Sequence, residues 1–273
     1  MIQDYVCPNT IQDAIHLKNQ YKEKGCYLAG GTQCSTYPSP LTEVMISLEK
    51  LGLDQIVIHE KEVQVGAMVT CTQIINFPFP PEVHMEGFKN STKRINNPQI
   101  RNMATIGGNV AANKSSSGFI PVLLAYHASM QIVLSDGNEK IISLEEYVQQ
   151  KQDDFIKTIL IPIPSNNFHI NHKKYQRSSQ DIGIINVVVS FDIIDETIEN
   201  MVIAIGGIAE TVKRLSVVEE KLNHKKIADF SITECEKWVE ENVHPVSDIR
   251  ASAEYKTHLC KVYVADAIQE CIQ

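Results

Sequence analysis

Residues 97–109 read Asn97-Pro98-Gln99-Ile100-Arg101-Asn102-Met103-Ala104-Thr105-Ile106-Gly107-Gly108-Asn109. The stretch belongs to a polar, Gly- and Asn-containing region, 95–114, that precedes an apolar run at 119–128 with Pro121 near its start. That order predicts a long functional loop followed by a buried helix. Paired glycines let a backbone approach a ligand closely and turn consecutive N–H groups toward one point, making an anion nest. A second pair stands in Ala29-Gly30-Gly31-Thr32-Gln33, directly after the short apolar run Cys26-Tyr27-Leu28-Ala29, which reads as a buried strand ending in a tight loop. A dinucleotide pyrophosphate would suit such nests, and Thr32 and Asn109 add short polar side chains for phosphate or ribityl oxygens. Taken alone, each loop also reads as an ordinary turn. Neither is a Rossmann G-x-G-x-x-G or a P-loop. Gly206-Gly207 is read as a turn.

Working outward, residues 10–25 carry helix signals, with Thr10 as N-cap, Asp13 in the first turn and Gly25 as stop. Strand-like runs occupy 44–47, 56–59 and 63–67, and 130–134 with 140–142 flank Ser135-Asp136-Gly137-Asn138, whose Asp-Gly step predicts a hairpin. Residues 144–150 read as helix and 158–161 as strand. Pro162-Ile163-Pro164-Ser165-Asn166-Asn167 is the expected linker. Beyond it, 173–177, 184–194 and 199–205 read as three strands, followed by helices at 214–222, 233–242 and 248–271. The expected fold class is α+β, with a second, smaller α+β domain built on a three-stranded sheet.

Composition narrows the function. A chain of 273 residues with 43% hydrophobic and 21% charged residues can bury a substantial core. Its 25 Lys and Arg against 33 Asp and Glu give a net charge of −8 with no basic run, which argues against nucleic acid as partner. No stretch approaches the roughly 20 apolar residues of a membrane span, and the N-terminus lacks a cationic, then apolar, leader pattern. A cytoplasmic location is the expectation. The seven cysteines form no C-x-x-C pair, so reduced thiols are expected in place of zinc or iron–sulfur ligands. Cys34 reads as a small buried hydrophobe or a redox thiol. His169 and His172, on an extended segment, read as surface residues, and Trp238 as a core or interface anchor.

The stretch 97–109 resembles the flavin-binding signature of the xanthine dehydrogenase and carbon monoxide dehydrogenase medium-subunit family, and Ala29-Gly30-Gly31-Thr32 is similar to that family's first FAD loop. Further matches follow in the family's order. Ile159-Leu160-Ile161-Pro162 resembles the end of its FAD domain, and Lys174-Tyr175-Gln176-Arg177 with Asp181-Ile182-Gly183 its flavin-facing segment. Ala204-Ile205-Gly206-Gly207, Arg214 and Arg250-Ala251-Ser252-Ala253-Glu254-Tyr255-Lys256 are similar to its C-terminal domain. Within the family the chain looks closest to the short flavoprotein subunits associated with selenium-dependent molybdenum hydroxylases.

The resemblance implies a PCMH-type FAD-binding domain of two α/β subdomains over residues 1–164 and a C-terminal flavoprotein domain over 168–273. FAD is the implied cofactor. Leu28, Ala29, Gly30, Gly31, Thr32 and Gln33 would form one side of its site, with the amides of Gly30, Gly31 and Thr32 on the pyrophosphate. Ala104, Thr105, Gly107, Gly108 and Asn109 would form the other, Thr105 and Ile106 lining the ribityl chain. Ile161 would also contact the cofactor, and Lys174, Asp181 and Ile182 would approach the flavin ring. The implied partners are a molybdenum-cofactor subunit and a 2Fe-2S subunit, with electrons passing through FAD to NAD or another acceptor. The sequence departs from the family at Gly118 and Gln33, commonly Asp there, and at Ser115, commonly Pro. Lys114, Ser115 or Ser116 could compensate, Lys114 reading otherwise as a solvated loop lysine. Two other readings stand beside this one: a flavin-free scaffold subunit of the same complex, and a free-standing flavin oxidoreductase, for which no acid–base constellation is visible.

Overall fold

A computed structural model describes residues 2–150, 154–178 and 181–273. In chain order the first elements are β1 (Asp4–Val6), α1 (Ile11–Tyr21), β2 (Gly25–Leu28), β3 (Val44–Ser47), β4 (Ile56–Ile58), β5 (Glu62–Gly66), α2 (Cys71–Asn76) and α3 (Glu86–Lys93). There follow α4 (Pro98–Arg101), α5 (Ile106–Ala111), α6 (Ile120–Ala125), β6 (Ser129–Val133), β7 (Glu139–Ser143), α7 (Leu144–Gln149) and β8 (Phe155–Pro162). The last are β9 (Phe168–Tyr175), β10 (Ile185–Ile194), β11 (Thr197–Gly206), β12 (Lys213–Arg214), α8 (Ser216–Leu222), α9 (Ile232–Asn242) and α10 (Ala253–Ile272).

The chain divides into two units, residues 1–77, 97–112 and 128–162 in one and 78–96, 113–127 and 163–273 in the other. In the first unit, β3 lies between β1 and β2 and runs parallel to both. Helix α1 starts where the Thr10 hydroxyl accepts the Asp13 N–H, at 3.0 Å, and buries Ala14 and Ile15 against Val44 and Ile46. The five-stranded sheet of this unit has the order β4-β5-β8-β6-β7, antiparallel throughout. Its β6–β7 hairpin turns at Gly137, where φ is +87°.

The second unit is built on the antiparallel sheet β12-β11-β10-β9. It has four strands, not the expected three, because Lys213 and Arg214 add a short edge strand to β11. Residues 187–189 of β10 and 202–205 of β11 are wholly buried, Val187, Val189, Ile203 and Ile205 in a core that also takes Val218, Leu222, Cys235, Val239 and Val264 from α8, α9 and α10. That burial on both faces explains why these strands read as continuous apolar runs instead of alternating ones. His172 differs from the surface placement expected of it. It is 7% exposed on β9, where its Nε2 pairs with the Asn186 Oδ1 of β10, and burial lowers its pKa to about 4. His169 stacks on Phe191. Trp238 lies partly buried, with the ammonium groups of Lys221 and Lys225 at 5.2 and 4.8 Å from its ring.

Candidate functional site

Strand β2 delivers the chain into the first glycine loop. The segment after it coils: Ser35 donates its N–H to the Gly31 carbonyl at 3.2 Å, and Tyr37 donates to Gln33 at 2.9 Å. Gly31 sits at φ +69°, a region glycine enters freely and β-branched residues resist. The consequence is chemical. Among the described residues, the backbone N–H groups of Gly30, Gly31, Thr32 and Gln33 donate to no protein acceptor. Four successive amides at the start of a helical turn form an electropositive concavity suited to an anion.

The second loop is folded differently from the nest expected of it. Residues 95–114 are not a continuous loop but hold two short helices. Asn97 caps α4, its Oδ1 accepting the Ile100 N–H at 2.9 Å, and Thr105 caps α5, its hydroxyl accepting from Gly108 at 3.1 Å. Ile106 donates to the Val69 carbonyl and Gly107 to that of Ala67, each at 2.9 Å, while Asn109 donates to Thr105 at 3.0 Å. The amides of the Gly107-Gly108 pair are therefore engaged within the protein. Gly107 serves close packing, since a Cβ there would come within 2.5 Å of the Ala67 Cβ and 2.7 Å of its carbonyl oxygen.

The two loops meet within this unit. A Cβ on Gly30 would lie 1.6 Å from the Met103 carbonyl oxygen, and one on Gly108 would lie 3.6 Å from the Ala29 Cβ. Gly30 thus fixes the distance between the loops and Gly31 their curvature. Thr105 is 3% exposed and Ile106 wholly buried. Ile161 is fully buried on the central strand β8, opposite Val63.

Lys174, Asp181 and Ile182 belong to the other unit. Lys174 is on β9, where its ammonium donates to the Arg94 carbonyl at 3.0 Å. Burial, and then the nearby Arg94, lower its pKa. Ile182 is 60% exposed. Gly118 is crowded, not conformationally special. Its φ is not positive, and a Cβ there would approach Ile95 Cγ1 to 2.5 Å. Ser115, one of the residues that could compensate, is engaged: its hydroxyl accepts the Gly207 N–H at 2.8 Å, in a turn where Gly207 has φ +95°.

Sequence reading passed over three residues here. Ser35 closes the turn through its N–H and through its hydroxyl on Gly31, Ala67 sets the stop for Gly107, and Met103 presents the carbonyl against which Gly30 packs. A serine four positions after Gly31 was a readable sign of the turn. Met103 acts through its backbone carbonyl and Ala67 through its carbonyl and its Cβ, which no residue pattern announces. Next to the loop, Cys26 and Cys34 place their sulfur atoms 3.5 and 3.9 Å from the same Tyr27 carbonyl oxygen.

Comparison with known proteins agrees with this architecture. A family described as the FAD binding domain in molybdopterin dehydrogenase matches residues 1–164, and one described as the CO dehydrogenase flavoprotein C-terminal domain matches 171–271. The chain is 28% identical over 276 residues to the uncharacterized protein YgfM of Escherichia coli strain K12, covering 100% of this chain and 98% of that protein. It is 26% identical over 274 residues to the nicotine 6-hydroxylase medium subunit of Paenarthrobacter nicotinovorans, covering 97% and 96%. Among solved structures, reconstituted CO dehydrogenase from Oligotropha carboxidovorans superimposes with a TM-score of 0.91 at 23% identity, covering 100% of this chain and 98% of that one. At that identity the likeness shows the shared fold.

Proposed function

Because the chain belongs to the family that joins an FAD-binding domain of molybdopterin dehydrogenases to a CO dehydrogenase flavoprotein C-terminal domain, we propose that it relays electrons between a metal-bearing partner and a soluble acceptor. The chain is an FAD-binding oxidoreductase subunit of the molybdenum hydroxylase family. What goes beyond this is the route and the residues. The metal centres reside on a molybdenum-cofactor subunit and a 2Fe-2S subunit, and NAD or another small acceptor takes the electrons in the cytoplasm. Relatives named as medium subunits or medium chains support that division of labour.

The observation that carries the assignment of residues is the open row of amides at Gly30–Gln33, with Gly31 at φ +69°. It fits a pyrophosphate. FAD supplies the redox chemistry when bound, and the protein supplies position and electrostatics. Gly30, Gly31, Thr32 and Gln33 hold the pyrophosphate through their N–H groups, while the Leu28 and Ala29 side chains flank that row. Ala104, Thr105, Gly107, Gly108 and Asn109 form the facing wall, kept rigid by the bonds from α5 to residues 67–69. Ile161 backs the site.

The test is flavin retention by the isolated chain. Purified protein should be yellow, release FAD on denaturation, and reduce an artificial dye with NADH while hydroxylating no heterocycle. A folded protein that neither carries nor binds FAD would identify it as a scaffold. Hydroxylation by the pure single chain would overturn the division of labour.

A further inference from the structure

Cys26 and Cys34 are not used by the cofactor site, yet they meet beside it. Cys26 lies on β2 and Cys34 in the turn that follows the open amides, and both are partly accessible. Their thiols converge on one acceptor, the Tyr27 carbonyl, at 3.5 and 3.9 Å. The neighbouring Cys26 side chain lowers the Cys34 pKa to about 7; burial opposes this and backbone N–H groups at Cys34 and Ser35 reinforce it. Cys71, Cys235 and Cys260 are buried instead, and burial pushes each thiol up to about 12. Of the chain's thiols, this pair therefore joins convergence on one carbonyl to accessibility and a sulfur substantially ionised near neutral pH.

We propose that Cys26 and Cys34 form a peroxide-reactive dithiol, a reversible modification site in which Cys34 is the attacking sulfur and Cys26 the resolving one. The oxidant is a hydroperoxide. The Cys34 thiolate attacks one oxygen, so that an S–O bond forms as the O–O bond breaks, and the departing hydroxide takes a proton to leave as water. Cys34 is then a sulfenic acid. The Cys26 sulfur attacks it, the S–S bond forms as the S–O bond breaks, and the Cys26 proton leaves with the hydroxyl as a second water. Two thiols are oxidised by two electrons and one peroxide is reduced to two waters. A dithiol reductant reverses the change. Because the disulfide would tie β2 to the turn at 31–37, it would act on the segment that presents the open amides; that consequence, unlike the thiol chemistry, rests on the cofactor assignment above.

The thiol chemistry is read by mass spectrometry on the full, flavin-free chain. Reduced protein is treated with stoichiometric hydrogen peroxide at pH 7, alkylated with N-ethylmaleimide, and mapped by peptide. The expected result is a loss of about 2 Da and of two alkylatable thiols, both mapping to Cys26 and Cys34, fully restored by dithiothreitol. In Cys26→Ser the reaction should stop at a sulfenic acid on Cys34 that a dimedone probe traps. In Cys34→Ser, Cys26 should stay reduced. Should either variant fail to fold, competitive alkylation of wild type decides, with Cys34 expected to react at least tenfold faster than Cys71, Cys235 and Cys260. Oxidation that maps to other cysteines, a Cys34 that stays reduced, or a Cys34 that alkylates no faster than the buried thiols would overturn the proposal.

Discussion

At Gly31 the backbone takes φ +69° beside four amides that have no acceptor among the described residues. Alanine there costs about 1 kcal/mol for its left-handed backbone alone. Valine adds β-branching, and its Cβ would press within 2.8 Å of the Ser35 hydroxyl. Gly31→Val should therefore lose FAD in equilibrium dialysis while circular dichroism reports a folded chain; retained stoichiometric FAD would remove the nest from the cofactor site. Gly118 makes the opposite point. A carboxylate in its place cannot simply be restored, because Ile95 occupies the space its Cβ would need. Gly118→Asp alone should destabilise the chain by roughly 1–3 kcal/mol through overpacking. Gly118→Asp with Ile95→Ala should recover part of that loss and bind FAD more tightly than Ile95→Ala alone, read by flavin fluorescence titration. Both glycines were visible in the sequence. The obstacle at one and the dihedral at the other were not, since both depend on neighbours.

At the scale of elements, the start of α1 was legible because its Thr10 cap is side-chain chemistry; Ser143, Ser231 and Ser252 likewise accept an N–H three residues on, and the last of them starts α10 at Ala253, later than the 248 expected. Helices α2, α4 and α5, of six, four and six residues, escaped because so few turns show no apolar period. Thr105→Ala should cost about 1 kcal/mol by removing the cap of α5, with Thr105→Ser largely neutral in denaturant unfolding. The approach to α10 is held by Asp248, which accepts from Arg250, from the buried Lys256 ammonium at 2.9 Å, and from the backbone of Arg250 and Ala251. Burial alone would raise its pKa, but these donors hold the carboxyl well below the usual range. A depressed carboxylate contributes stability above its unfolded pKa, about 4, and loses it as the pH falls further. His172 acts in a higher window. It is kept neutral to about pH 4, so the unfolded chain takes up its proton first below roughly pH 6.5 and stability declines from there. Thermal unfolding should show both slopes, with Asp248→Asn flattening only the lower one.

For the whole molecule, the test is again the single chain: flavin-loaded, it should oxidise NADH with a dye at a rate that Gly31→Val eliminates, and show hydroxylase activity only when its partners are present. The sequence by itself determined the α+β class, the core strands of both units and the position of both glycine loops. These follow from apolar runs, caps and glycine, which act within a few residues of chain. Tertiary structure decided which loop keeps its amides free. Gly30 packs on Met103 and Gly107 donates to Ala67, partners distant in sequence, and a backbone carbonyl leaves no mark on residue type. It also added β12 to the C-terminal sheet and buried His172, because strand pairing depends on the neighbour and not on the two or three residues being paired.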